Sequence, residues 1–321
     1  MKMRKGPPDL VLFLVVFLLV GIGIIMIFSA SAVTANIKFQ DPFLFLRKQV
    51  LWIILGFIFM LIAMKLNYQR LRELGIVALI FSIASLVAVL LPGIGSTVKG
   101  AARQIDLGFT SFTPSEFTKI CTVIFLSSSL SRNFDKIKSF TKGLLPYLLL
   151  LGVICGLVLL QPDLGTTFAI ALTGFLMLAM AGARYSHLGI LALVGVALVG
   201  LAIYFEPYRM IRFIAFLDPW KYASDAGFQT IQSLYALGSG GLFGMGLGQS
   251  RQKFFYLPEQ HTDFIFAILG EELGYLGVIL VLSLFHIFAG RGFRIALKAP
   301  GSLGSLLAGG LTTMIIAQAI I

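Results

Sequence analysis

The chain has 321 residues, of which 58% are hydrophobic and only 12% charged, and its mean hydropathy is +0.95. Soluble domains average roughly 25% charged and 45–50% apolar residues, so this composition excludes a water-soluble enzyme and a disordered chain. The net charge of +11 is assigned to basic loops flanking membrane spans, and no nucleic acid is expected as a partner.

Apolar stretches of about the 20 residues that a bilayer requires predict nine helices. They cover 10–30, 49–65, 75–92, 115–130, 143–160, 164–182, 187–205, 263–289 and 303–321. The fold class is therefore all-α, a polytopic membrane bundle with a long extracellular segment between spans seven and eight. The basic start, the first apolar run and Ser29-Ala-Ser-Ala32 have the shape of a secretory signal. The run Leu10–Phe28 is longer than the roughly 7–15 residues of such a region and is read as a retained helix. The fourth span is the weakest, because Ser, Thr and Lys interrupt it. Cys121 and Cys155 lie in apolar runs, where a thiol acts as a small hydrophobe, and no metal-binding spacing of Cys or His is present.

Basic residues set the orientation. With the N-terminus in the cytoplasm, inner segments hold fourteen of them and the short outer loops five (Lys38, Arg47, Lys48, Lys99 and Arg103). Five more fall in 206–262, where length weakens the rule. The two long outer segments, 93–114 and 206–262, then face the same side. A connection of nearly 60 residues is far above the usual length and marks function.

Three places put ionisable groups at or within the spans, where each is a functional candidate. In Pro114-Ser-Glu-Phe-Thr-Lys119, Glu116 and Lys119 are one helical turn apart and within ion-pair reach. The pair either satisfies itself or holds a cation for an anionic substrate. In Gln161-Pro-Asp-Leu-Gly-Thr-Thr167, Asp163 either caps the sixth helix or is a functional carboxylate at the outer surface. In Tyr256-Leu-Pro-Glu-Gln-His-Thr-Asp-Phe-Ile-Phe266, Asp263 is either an N-cap, favoured by the helix dipole, or an outward carboxylate at the mouth of a cavity. Glu271 and Glu272 lie deeper on the same helix and require partners within the bundle. The glycine-rich run 238–248 lacks the residues of a phosphate loop and is read as close-packed backbone.

Phe216-Leu-Asp-Pro-Trp220, Gly246-Leu-Gly-Gln-Ser250, Gln252-Lys253, Tyr256-Leu-Pro-Glu, His261-Thr-Asp-Phe-Ile-Phe-Ala267 and Glu271-Glu-Leu-Gly274 together resemble the SEDS family of RodA, FtsW and SpoVE proteins. Arg47-Lys-Gln-Val-Leu-Trp52 and the Pro114 and Gln161 motifs agree in order, so the resemblance covers essentially the whole chain as one domain, 1–321. It leans toward the FtsW/SpoVE branch. It implies ten helices, with the chain ending at Ile321 before the tenth. The implied activity is an inverting peptidoglycan glycosyltransferase that polymerises lipid II at the outer face of the bacterial cytoplasmic membrane. A class B penicillin-binding protein is the implied transpeptidase partner. The family's essential acid falls on Asp263, and its Glu and Lys on Glu116 and Lys119.

Lys119 is then the main cation for the leaving pyrophosphate, with Arg103, Arg209 and Arg212 as further outer cations. Asp163 and His261 complete the substrate-binding candidates. No cofactor is required, and a divalent cation is compatible with the chemistry. One departure stands out: the family's Gly-Ala-Arg-Arg-Trp is Gly100-Ala-Ala-Arg-Gln-Ile105 here, so only Arg103 keeps the basic character. A lipid II flippase and a non-catalytic scaffold of a division complex are the rival classes.

Overall fold

A computed structural model describes residues 7–98, 101–106, 108, 111–253 and 262–321. Its eleven α-helices among the described residues fall into two compact units, formed by Met1–Leu66 with Val194–Phe288 and by Asn67–Leu193 with Ala289–Ile321.

The first unit holds α1 (Leu10–Phe39) and α2 (Leu44–Lys65), then α8 (Pro207–Leu217), α9 (Phe228–Ser239) and most of α10 (Ile265–Lys298). Asp9 starts α1 by accepting the Leu12 amide at 3.0 Å. The helix then runs unbroken through Ser29–Ala32. Met26 and Ala30 of α1 pack with Ala236 of α9 and with Ala267, Ile268, Leu269 and Val281 of α10. No residue of α2 is buried, as befits a helix whose apolar surface faces lipid on most sides.

The second unit holds α3 (Leu71–Leu90), α4 (Pro114–Arg132), α5 (Leu145–Leu159), α6 (Leu164–Met180) and α11 (Ser302–Ile320). Its core is built on Leu86, Val123, Leu126, Leu130, Ile154, Ile170, Met177 and Leu306. Small residues let these helices approach: a Cβ on Gly310 would stand 2.8 Å from the Met177 sulfur, and one on Gly75 would stand 2.8 Å from the Ser128 Cβ. Close approach through glycine is the usual device where lipid supplies no hydrophobic drive between helices. The remaining helix, α7 (Tyr185–Tyr204), belongs partly to each unit.

A helix stands at each of the nine predicted positions. Among the described residues, seven helical stretches are long and apolar enough to cross a membrane, and α6, with 17 residues, is a shorter apolar helix. The fourth, α4, is polar because it is central. Most of its hydroxyls that carry a bond find partners inside the unit, although the buried Thr122 Oγ1 has none among the described residues: Thr118 accepts from Ser82 at 3.0 Å and donates to the Pro114 carbonyl at 2.9 Å. Ser128 donates to the Arg72 carbonyl at 2.6 Å, and Ser129 pairs with the Tyr147 hydroxyl at 2.9 Å.

Two features amend the sequence reading. A small antiparallel sheet of β1 (Gly95–Val98), β2 (Ala101–Asp106) and β3 (Ser111–Phe112) follows α3, with Gly95 opposite Ile105 and Ile105 opposite Phe112. The long segment 206–262 carries two helices, α8 and α9, rather than irregular chain alone.

The glycine-rich run is close-packed backbone, as expected, and it enters the hydrogen-bond ladder of α10. Gly274 takes φ 67° and ψ −167° and breaks that helix. An unbroken helix would bond Tyr275 N–H to Glu271 C=O and Leu276 N–H to Glu272 C=O. Instead the Met245 and Gly246 amides donate to those carbonyls at 2.9 and 3.1 Å, while Tyr275 and Leu276 donate to Gly241 and Leu242 at 2.9 and 3.2 Å. A Cβ on Gly244 would collide with the Glu272 carbonyl, and one on Gly274 with the Gly244 amide.

Candidate active site

In the second unit, Glu116 lies in the first turn of α4, where a carboxylate is favoured by the helix dipole. Its Oε2 is 2.7 Å from Lys119 Nζ. The lysine side chain is 4% exposed and the glutamate 55%, so the pair carries a buried cation toward an accessible carboxylate. Gln318 of α11 also accepts from Lys119. An ammonium has three donors, and among the described residues two of them are taken. Gln318 is the partner that sequence reasoning missed, since nothing in a polar residue near the end of an apolar run names its contact.

The structure brings Arg103 and Asp163 to one turn. Arg103 donates through Nε to the Gln161 carbonyl at 2.9 Å and through a terminal nitrogen to the Pro162 carbonyl. Asp163 accepts from the Thr166 amide at 3.0 Å and from its hydroxyl at 2.8 Å. The expected helix cap is thus present, and both carboxylate oxygens serve it.

In the first unit, Glu271 and Glu272 are each 1% exposed and both find the partners that their depth demands. Glu271 accepts from the Ser250 hydroxyl at 2.5 Å and from the Arg251 amide at 2.9 Å. Glu272 accepts from the Ser29 hydroxyl at 2.6 and 2.7 Å, and Lys253 Nζ lies 3.3 Å from its Oε1. Lys253 also donates to the Gly248 carbonyl. Neither Ser29 nor Lys253 stood out in the sequence as a partner for these acids. These bonds tie residues 248–253 to the helix that Asp263 precedes.

Asp263 occupies the turn 262–264 before α10 and is exposed. The first helical bonds, from Ala267 and Ile268, are accepted by the Phe264 carbonyl at 3.0 and 3.4 Å, so Phe264 rather than Asp263 stands at the helix start. Among the described residues no backbone amide donates to the Asp263 carboxylate, in contrast to Asp9 and Asp163. Arg209 donates to the Ala202 carbonyl at 3.2 Å. The Arg212 guanidinium lies 4.7 Å from the centre of the Tyr208 ring. His261 lies outside the described residues. Among the described residues no group of three or more His, Cys, Asp or Glu side chains could hold a metal ion.

A polytopic helical membrane protein with paired ionisable groups in both of its units is the class that this geometry defines. A family model described as cell cycle protein, covering FtsW, RodA and SpoVE, matches residues 9–321, and the chain belongs to that family. It is 45% identical to stage V sporulation protein E of Bacillus subtilis, an alignment covering 100% of this chain and 88% of that protein. It is 40% identical to a protein of Geobacter sp. named "Probable peptidoglycan glycosyltransferase FtsW", over 98% of this chain and 85% of that one. Among solved structures, a chain of a peptidoglycan synthase complex that coordinates polymerization and crosslinking superposes with a TM-score of 0.77. It is 26% identical, with 97% of this chain and 87% of that one covered. The rod shape determining protein RodA of Thermus thermophilus gives 0.67 at 26% identity, covering 96% and 81%.

Proposed function

We propose that the chain is a peptidoglycan glycosyltransferase that polymerises lipid II at the outer face of the bacterial cytoplasmic membrane, with Asp263 as general base. One observation carries the assignment of the base: Asp263 is exposed and, among the described residues, accepts from no backbone amide, whereas Asp163 spends both oxygens on a helix start. The family membership, the name of the Geobacter relative and the polymerising complex among the structural neighbours support the activity.

The reaction follows from the substrate. The 4-hydroxyl of an acceptor sugar attacks the anomeric carbon of a donor. The new C–O bond forms as the bond to undecaprenyl pyrophosphate breaks, and the hydroxyl proton passes to the Asp263 carboxylate. A positioned general base contributes about 10²–10⁴-fold. Single displacement inverts the α-linked donor to a β-linked strand. Lys119, held by Glu116 and Gln318, offers its third donor to the departing pyrophosphate, where charge develops. Arg103 serves by bracing the turn that Asp163 caps. The N-terminus is cytoplasmic on the basic-residue distribution, which puts the segments 93–114 and 206–262 on the outer side. A class B penicillin-binding protein supplies the crosslinking.

The test is lipid II polymerisation by the purified chain with its transpeptidase, wild type against Asp263→Asn. Long glycan strands from the wild type and none from a folded variant are expected. Equal product from both removes Asp263 from the mechanism. No product from either, with lipid II translocation intact in vesicles, moves the assignment to a flippase.

A further inference from the structure

The segment between α7 and α10 contains a cleft of whose lining only Arg212, expected from the sequence as an outer cation, has been given a part above. Its volume is about 380 Å³, and it is lined by Tyr208, Ile211 and Arg212 of α8 and by Ser224, Asp225, Phe228 and Gln229 at and before the start of α9. That size lies within the roughly 300–1,000 Å³ of small-molecule sites.

The walls are fixed by backbone. Asp225 N–H and Gly227 N–H both donate to the Tyr222 carbonyl, at 3.1 and 3.0 Å, and Phe228 N–H donates to the Asp225 carbonyl at 3.1 Å. A Cβ on Gly227 would collide with the Pro219 carbonyl, so only glycine lets the turn close and present Asp225. On the facing wall, the Arg212 guanidinium rests on the Tyr208 ring, 4.7 Å from its centre. This stacking holds a flexible side chain in place.

The chemistry of the lining selects its occupant. A phosphate or carboxylate would meet Arg212 but also the Asp225 carboxylate. A cation would meet the reverse. Arginine donates only, a carboxylate accepts only, and the glutamine amide and serine hydroxyl do both. Such a set, beside the apolar edges of Tyr208, Ile211 and Phe228, matches an uncharged ligand rich in hydroxyl and amide groups with a hydrophobic ring face. An N-acetylated hexose has that chemistry.

We infer that the cleft between α8 and the start of α9 is a saccharide subsite, which holds an N-acetylated sugar of the growing glycan strand. The inference rests on the glycosyltransferase reading. A subsite for strand already made governs how long the strand stays bound between additions, and leaves the joining of the first two lipid II molecules unaffected.

Two measurements on the full chain with its transpeptidase test this and separate it from that reading. The first is binding of a lipid-free N-acetylglucosaminyl–N-acetylmuramyl tetrasaccharide by saturation-transfer NMR. The second is the strand-length distribution from lipid II. The variants are Asp225→Ala and Gln229→Ala, with Leu193→Ala on α7 as control. We expect each cleft variant to weaken tetrasaccharide binding by about tenfold, the equivalent of one hydrogen bond to a charged group or somewhat less. Mean strand length should fall while the first coupling proceeds at the wild-type rate. Wild-type binding that the variants leave unchanged overturns the subsite, as does displacement of the tetrasaccharide by glycerol phosphate, which would mark a lipid headgroup site. A wild type that binds the tetrasaccharide through Asp225 and Gln229 yet makes no polymer upholds the subsite and overturns the glycosyltransferase.

Discussion

Replacing Lys253 by Met removes an ammonium from a site where Glu272 is 1% exposed and Lys253 3%. At the observed 3.3 Å, and with an effective dielectric constant of about 20, the pair attracts by roughly 5 kcal/mol before desolvation is counted. Most of that gain offsets the loss of water around two charges, so the pair as a whole adds little. Breaking it is different, because the survivor stays buried. Glu272 would keep the Ser29 hydroxyl and, at 3.4 Å, the Ser250 amide, but Glu271 is its immediate neighbour. Two buried carboxylates on adjacent residues would then remain without the ammonium that pairs with Glu272. We expect Lys253→Met to destabilise the protein by about 3–5 kcal/mol. Glu272→Gln keeps both hydrogen-bonding oxygen and shape, and should restore about 2–3 kcal/mol when added to Lys253→Met. Equilibrium unfolding in mixed micelles, run as a double-mutant cycle, measures the coupling. A Lys253→Met variant as stable as wild type, or a double variant whose losses simply add, would refute the reasoning.

Asp263→Asn should abolish polymerisation with an unchanged unfolding midpoint, because among the described residues no backbone amide donates to its side chain; a lowered midpoint would show a structural role. Asp163→Ala should lose about 1 kcal/mol through its cap, and Asp163→Ser should recover most of it, read as unfolding midpoints. Gly244→Ala and Gly274→Ala, both at positive φ and both facing backbone, should each lose about 1–3 kcal/mol. Gly93→Ala has φ 86° but open space around its Cβ, and the same unfolding assay should show a smaller loss.

The long apolar helices were legible because a window of apolar residues long enough for a bilayer has few other uses. The Glu116–Lys119 pair was legible because helical spacing fixes which residues meet. The small sheet was not, since strands of four, six and two residues with no alternating pattern carry no signal of their own. The helix α8 had one: Pro207 at its start, then apolar residues at Ile211, Ile214 and Ala215 spaced for one face. That signal was overshadowed by the length of the segment around it. Partners across the fold stayed hidden for a plainer reason. Ser29 meets Glu272 across 243 positions, and neither residue constrains the other until the chain has folded. Ser29 even sits in a stretch whose composition suggested a cleavage site.

The loop that enters α10 leaves the helix with two ways to satisfy the same four groups. With Gly241–Gly246 in place, the Glu271 and Glu272 carbonyls and the Tyr275 and Leu276 amides bond outward, and Gly274 holds the bend. With the loop withdrawn, those carbonyls and amides are each other's natural partners one turn apart, and the helix can close on itself. Such a withdrawal forfeits packing between glycines but strands no polar group of α10. The kinked and straight forms of this helix thus differ by one glycine torsion, by the packing of the glycines and by four bonds to the loop exchanged for two within the helix, in a segment that carries two buried acids just behind the proposed base.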